Sequence, residues 1–158
     1  MPRALPLLIA LAGFLSITGC EPPTPAPEAV VITAVSTYPE FTGLDAVKAQ
    51  AAEGNADAQY FLELMPKAIA GDAQAQFEMA NMYRDGIGIA PDSPSAFFWF
   101  QQAAERNHAI AQYFLGLMYE NGESVPTNRE EALRWYTLSA EQGDASGKSK
   151  LAELTAQQ

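Results

Sequence analysis

A unit of 36 residues occurs twice in succession, at 73–108 and 109–144, and the two copies align without a gap. Ten of the 36 positions are identical, among them Ala75, Gln76, Met82, Tyr83, Gly86, Ala96 and Trp99 with their partners one period on. Both tryptophans of the chain, Trp99 and Trp135, stand one period apart. A period in the thirties restricts the fold sharply. Each unit is a small supersecondary element that cannot bury its apolar face alone, so neighbours must stack to form a continuous core.

The pattern inside each unit predicts two helices. Ala111, Leu115, Met118 and Tyr119 are spaced i, i+4, i+7 and i+8, which is one helical face, and Ala75, Met79, Met82 and Tyr83 repeat it. The first helix should cover 73–84 and 109–120. Ala80 and Gly116 are small enough to let a neighbouring helix come close. Gly86 and Gly122 end these helices, and Asp92 and Asn128 cap the second ones. Asn128 with Glu131 has capping-box spacing, so Glu131 should reach back. Ala96, Trp99, Phe100 and Ala103 should face inward, as should Ala132, Trp135 and Tyr136.

The junctions between helices repeat as well. Gly54-Asn55, Gly71-Asp72 and Gly143-Asp144 each combine a residue that accepts a left-handed backbone with one that caps the next helix. Asn107-His108 occupies the same slot. Asn107 can take the glycine's role, whereas His108 is the poorer cap, and its loss should cost little.

Upstream, residues 45–53 read as a short alanine-rich helix. Ala58-Gln59-Tyr60-Phe61-Leu62 then restates the opening of a first helix, and Pro66 should break or kink the chain at that point. Residues 45–72 are therefore a degenerate repeat. Downstream, residues 144–157 read as one more first helix with no second. Lys150 and Glu153 stand where Phe114 and Leu117 stand one period earlier, which suits a terminal cap with a polar face.

Residues 1–19 and 20–43 are of another kind. Arg3 precedes an apolar run too short to span a bilayer comfortably. The run ends in Ile17-Thr18-Gly19-Cys20, which resembles a bacterial lipobox. That resemblance implies a lipoprotein signal peptide cleaved before Cys20 and acyl groups on Cys20, the single cysteine of the chain. Removing residues 1–19 also removes Arg3 and takes the formal charge from −10 to −11. Residues 20–43 come next as a proline-rich tether, extended and fairly stiff near Pro22, Pro23, Pro25 and Pro27.

Ala111-Gln112-Tyr113-Phe114-Leu115-Gly116-Leu117-Met118-Tyr119-Glu120-Asn121-Gly122, Val125-Pro126, Ala132-Leu133-Arg134-Trp135-Tyr136 and Ala140-Glu141-Gln142-Gly143-Asp144 together resemble the Sel-1-like repeat, a relative of the tetratricopeptide repeat. The resemblance covers about 45–143. It implies an all-α fold: an α/α right-handed superhelical solenoid over residues 44–158, with a concave face that binds proteins or peptides. Bacterial members often act as scaffolds or adaptors, several as envelope lipoproteins. The chain departs from the pattern in its truncated first unit and at Glu123-Ser124, where Gly-x-Gly is usual. A cysteine-rich secreted branch, for which β-lactam binding has been proposed, pairs cysteines within each repeat. This chain has none there, so that activity is not carried over.

Nothing in the sequence assembles a catalytic or metal site, and no cofactor is expected. One histidine argues against a His-based metal site or triad. Asp85 and Asp92 do not have the spacing of a calcium loop. A net charge of −10 is the wrong sign for a nucleic-acid binder. One feature leaves two readings open, packing against adjacent helices or a binding groove. Phe114 and Leu117 lie off the main core stripe, on the side that tetratricopeptide-like arrays turn toward the groove. Phe61 and Leu64 are read as their equivalents upstream, with Glu78 and Asn81 between. On the second reading the expectation is a groove with apolar ends and a polar middle, taking an extended or helical partner segment. The whole reading is a non-enzymatic, lipid-anchored interaction module in the bacterial envelope, at the outer membrane facing the periplasm. Glu21 after the cysteine, where aspartate would resemble an inner-membrane retention signal, supports that side. The alternatives are an accessory subunit of a secretion or polysaccharide-export complex and, behind it, a peptidoglycan-active or β-lactam-binding protein.

Overall fold

The computed structural model describes residues 43–156. The signal peptide, Cys20 and the tether lie outside the described residues, as do 157–158. Seven helices and no strands are found among the described residues: α1 (Leu44–Ala52), α2 (Ala56–Ile69), α3 (Ala73–Asp85), α4 (Ser93–Glu105), α5 (Ala109–Asn121), α6 (Arg129–Glu141) and α7 (Ala145–Thr155).

Local chemistry sets where they begin and end. The Ala75 N–H donates to Asp72 Oδ1 (2.8 Å), the Ser95 N–H to Asp92 Oδ2 (3.1 Å) and the Gly147 N–H to Asp144 Oδ2 (2.6 Å). Each bond satisfies an amide that the first turn of a helix leaves without a carbonyl. Gly86 and Gly122 close α3 and α5 in the left-handed conformation. Asn107 does the same after α4, with φ of 66°. The capping box at α6 is only half formed. Asn128 accepts from the N–H groups of Glu130 and Glu131, but the Glu131 carboxylate pairs with Arg134 at 3.0 Å instead of reaching back. A charged partner one turn on competes better for it than a neutral amide.

Each helix folds back on its predecessor, giving the pairs α3–α4 and α5–α6, with α7 packed on α6. The core runs through all of them. Trp99, Phe100, Met79, Leu115 and Tyr136 are fully buried, and each side chain of this size contributes about 1.5–3 kcal/mol on leaving water. The first helices are also tied to one another. The Phe77 ring of α3 lies 6.1 Å from that of Phe114 in α5, and Lys150 of α7 pairs with Glu120 of α5 at 3.3 Å. The first helices α3, α5 and α7 therefore form one continuous face, the one that the family resemblance expects to be concave, hereafter the inner face.

The upstream unit differs from the sequence expectation. Helices α1 and α2 form a pair, joined by the short turn Glu53-Gly54-Asn55. Helix α2 packs against α1 and α3, so it holds the place of a second helix, as α4 does in the next unit. Leu64 stands one period before Phe100, and Ala68 before Ala104. Pro66 does not end the helix, which continues to Ile69. It sits in the last turn on the exposed side, where the hydrogen bond it removes faces water, and packing on both flanks holds the helix straight enough to continue.

Candidate functional site: a cleft on the inner face

The residues Phe114, Leu117, Met118 and Asn121 succeed one another along α5 at i, i+3, i+4 and i+7, a single ridge of the helix. That ridge forms one wall of a cleft of about 400 Å³. Phe100 of α4 lies at its base, and Arg84 at the end of α3 and Glu123 after α5 stand at its mouth. The aromatic base is well ordered by its own contacts. The Phe100 and Phe114 rings stack with centroids 5.2 Å apart and planes at 20°. The Arg84 guanidinium lies 4.7 Å from the Phe114 centroid, a cation–π contact that fixes one wall.

The charge of that guanidinium is met within the chain. Its Nε donates to Asp85 Oδ1 (2.7 Å) and its Nη2 to Asp85 Oδ2 (2.8 Å). The same hydrogen-bonded pair holds the Asp85 carboxyl below the ordinary carboxylate range and the Arg84 guanidinium above its own. Asp85 is thus an ion-pair partner and Asp92 a helix cap. Among the described residues no group of three His, Cys, Asp or Glu could hold a metal ion.

The six residues expected at the groove separate into three kinds. Phe114 and Leu117 come together in the cleft. Glu78 and Asn81 are half-buried on α3 and engaged locally. Glu78 accepts from Tyr60 Oη and from Gln74 Nε2 (2.7 Å), and Asn81 Nδ2 donates to the Phe77 carbonyl (3.0 Å). Phe61 is buried in the core, which corrects its assignment to the groove, whereas Leu64, buried as well, lines a separate surface depression with Glu78 and Tyr60, apart from the Phe114 cleft. Phe61 packs edge-on against Tyr83 of α3, at 5.5 Å. The reason is the place of α2: in a second helix, the positions that a first helix turns to the inner face point at its neighbour. Sequence reasoning missed Arg84, Phe100, Met118, Asn121 and Glu123. The continuation of the Phe114–Leu117 ridge to Met118 and Asn121 was a signal present in the sequence. The approach of Arg84 from another helix was not.

A second structural feature adjoins the cleft. His108 caps α5: its Nδ1 accepts the Ala111 N–H (3.1 Å), and its Nε2 bonds Gln74 Oε1 of α3 (3.0 Å). Nδ1 is an acceptor here, so the ring is neutral, with its proton on Nε2 donated to Gln74. Burial lowers the pKa of this imidazole from its ordinary value, partly offset by a backbone hydrogen bond and by Glu78. His108 is thus a fuller cap than its residue type suggests, because it also joins two first helices.

No helix among the described residues is long and apolar enough to cross a membrane. The Sel1 repeat family profile matches residues 73–108 and 109–144, the two units read from the sequence. No curated protein matches the chain. Among solved structures, the chain is similar to c5321, a protective antigen of uropathogenic Escherichia coli strains displaying an SLR fold, with 38% identity and a TM-score of 0.60. That match covers 62% of this chain and 21% of the antigen. A Sel1 repeat protein from Oxalobacter formigenes is 31% identical with a TM-score of 0.60, over 73% of this chain and 47% of the other. The chain thus spans about a fifth and about half of these two relatives. Cysteine-rich protein B of Helicobacter pylori shares the fold at 15% identity and a TM-score of 0.58, over 78% of this chain and 93% of that one. Residues 73–144 are two Sel1 repeats in tandem, and the described part of this chain shares the helical solenoid fold of these structures.

Proposed function

We propose that this chain is an envelope-anchored interaction module that docks a segment of a protein partner in the inner-face cleft. Sel1-repeat proteins are generally protein-interaction scaffolds, and their fold is typically non-catalytic. The observation that carries the finer reading is the cleft itself: Phe100, Phe114, Leu117 and Met118 offer an apolar floor with a polar rim of Arg84, Asn121 and Glu123. That is the anatomy of a binding hot spot, an apolar centre ringed by polar groups. Acylation at Cys20, implied by the lipobox-like Ile17-Thr18-Gly19-Cys20, would hold the module at the membrane. Confinement there raises the effective concentration of anything the cleft binds. Burying acyl chains contributes about 0.8 kcal/mol per methylene, so more than one chain gives a stable anchor. The side we assign is the outer membrane, facing the periplasm.

The test is photo-cross-linking in the native envelope, with the reactive residue placed at Leu117 or Asn121 and controls at Arg129 and Lys148. One discrete adduct from the cleft positions alone supports the reading. Adducts from none of them refute it. An adduct recovered in fixed stoichiometry with a large complex favours the role of an accessory subunit. Metabolic labelling with a fatty-acid analogue, in the wild type and in Cys20→Ser, tests the anchor separately.

A further inference from the structure

We infer that the cleft takes a cationic segment, with an apolar side chain seated against Phe114 and Leu117 and a lysine or arginine beside it facing Glu123. The inference rests on the reading of the cleft as a docking site. The volume of about 400 Å³ lies near the low end of the ~300–1,000 Å³ of small-molecule sites, and its floor carries no polar group to orient such a ligand. It suits a side-chain anchor from a larger partner. The charge at the mouth then selects the partner. Arg84 is the one cation there among the described residues, and both oxygens of Asp85 already meet it. Glu123 is exposed and, among the described residues, has no ion-pair partner. Arg84 thus stands between two carboxylates, Asp85 bonded to it and Glu123 acting on it through space, and the mouth is net negative. The chain around it adds to the same sign, with 19 acidic against 9 basic residues. An acidic segment would bring a carboxylate against Glu123 and Asp85, whereas a basic one is drawn in and oriented.

The test uses the full chain and two labelled helical peptides with the same leucine spacing, one flanked by lysines and the other by glutamates. Fluorescence anisotropy gives their affinities at low and high salt. The lysine peptide should bind about tenfold more tightly at low salt, and the gap should narrow at high salt. Leu117→Glu should abolish binding of both. Leu117 also packs against Ala132, Tyr136 and Leu154, so Leu117→Ala, which brings no charge into that contact, is the second variant and should weaken both peptides. Glu123→Lys, in an exposed loop, should remove most of the preference while leaving the apolar contact intact. Equal affinity for the two peptides overturns the charge assignment and leaves the docking reading standing. A preference that survives Glu123→Lys also overturns it, because the selection then comes from the chain at large. Binding of neither peptide overturns both.

Discussion

The imidazole of His108 stacks on the ring of Phe77, with centroids 4.5 Å apart and planes at 20°. Phe77 in turn lies 6.0 Å from Phe100 and 6.1 Å from Phe114. The ring that caps α5 is therefore in contact with the aromatic cluster under the cleft, and the boundary between the two repeats is part of the site's support.

This joint should make the fold sensitive to mild acid. Burial places the folded-state pKa of His108 below its ordinary value, so the unfolded chain takes up the proton first as pH falls. The stabilisation is complete above pH ~6.5 and is lost as pH falls through the lower, folded-state pKa. A protonated ring cannot accept the Ala111 N–H, so the cap goes with it. Chemical denaturation across this range should show the loss in the wild type and a flatter profile in His108→Asn, which caps without titrating. His108→Ala should cost about 1 kcal/mol at neutral pH. A flat wild-type profile would refute the assignment.

Gly88 is fixed by its surroundings. Its φ is +72°, and an added Cβ would lie 2.4 Å from the Asp57 carbonyl oxygen and 2.5 Å from its carbon. Both are backbone atoms at the start of α2 and cannot swing aside. Gly88→Ala should lose about 3 kcal/mol or more, read as a fall in thermal midpoint. Ser124, one period on, has φ of 64° and already carries a side chain. Ser124→Gly should gain up to about 1 kcal/mol by relieving the left-handed strain. A neutral Gly88→Ala would mean that the loop leaves α2 without cost.

The two repeats bury the same glutamine with unequal success. Gln112 Nε2 donates to the Ala104 carbonyl (3.1 Å), while its Oε1 accepts from Gln142 Nε2 (2.6 Å). Gln76 Nε2 donates likewise to the Ala68 carbonyl (2.9 Å), but its buried Oε1 has no partner among the described residues. The position matching Gln142 holds Arg106. Arg106→Gln should supply the missing donor and stabilise the protein by about 1 kcal/mol, measured by urea denaturation. The gain should vanish in a Gln76→Met background.

Stability and binding should separate within the cleft. Phe114 is half-buried among Phe77, Phe100 and Arg84, so Phe114→Ala should cost about 2 kcal/mol, below the range for a fully buried phenylalanine. Leu117→Ala should cost about 1 kcal/mol, since half-buried Leu117 also packs against Ala132, Tyr136 and Leu154, and it should weaken peptide binding by more than that. Paired unfolding and peptide-binding measurements check this. A Leu117→Ala protein that is badly destabilised would mark Leu117 as core.

Much of this protein was legible in the sequence because its signals act over a few residues. Asp72, Asp92, Asn128 and Asp144 each cap a helix through an amide two or three positions away, and Gly86 and Gly122 each close one. The 36-residue period, the helix pairs and the inward face of Trp99, Tyr83 and Leu115 come from such short-range rules. What only the tertiary structure decided is which side of a helix meets a neighbour. The opening Ala58-Gln59-Tyr60 reads as a first helix, yet α2 stands as a second helix between α1 and α3, and so Phe61 and Leu64 are core. His108 reads as a weak cap, yet Gln74 and Phe77 from the preceding repeat complete it. Arg84 walls the cleft from a different helix than Phe114. A cap depends on bonds that the chain makes with itself within one turn. A face, a joint or a cleft depends on which distant segment arrives beside it, and packing of the whole array sets that.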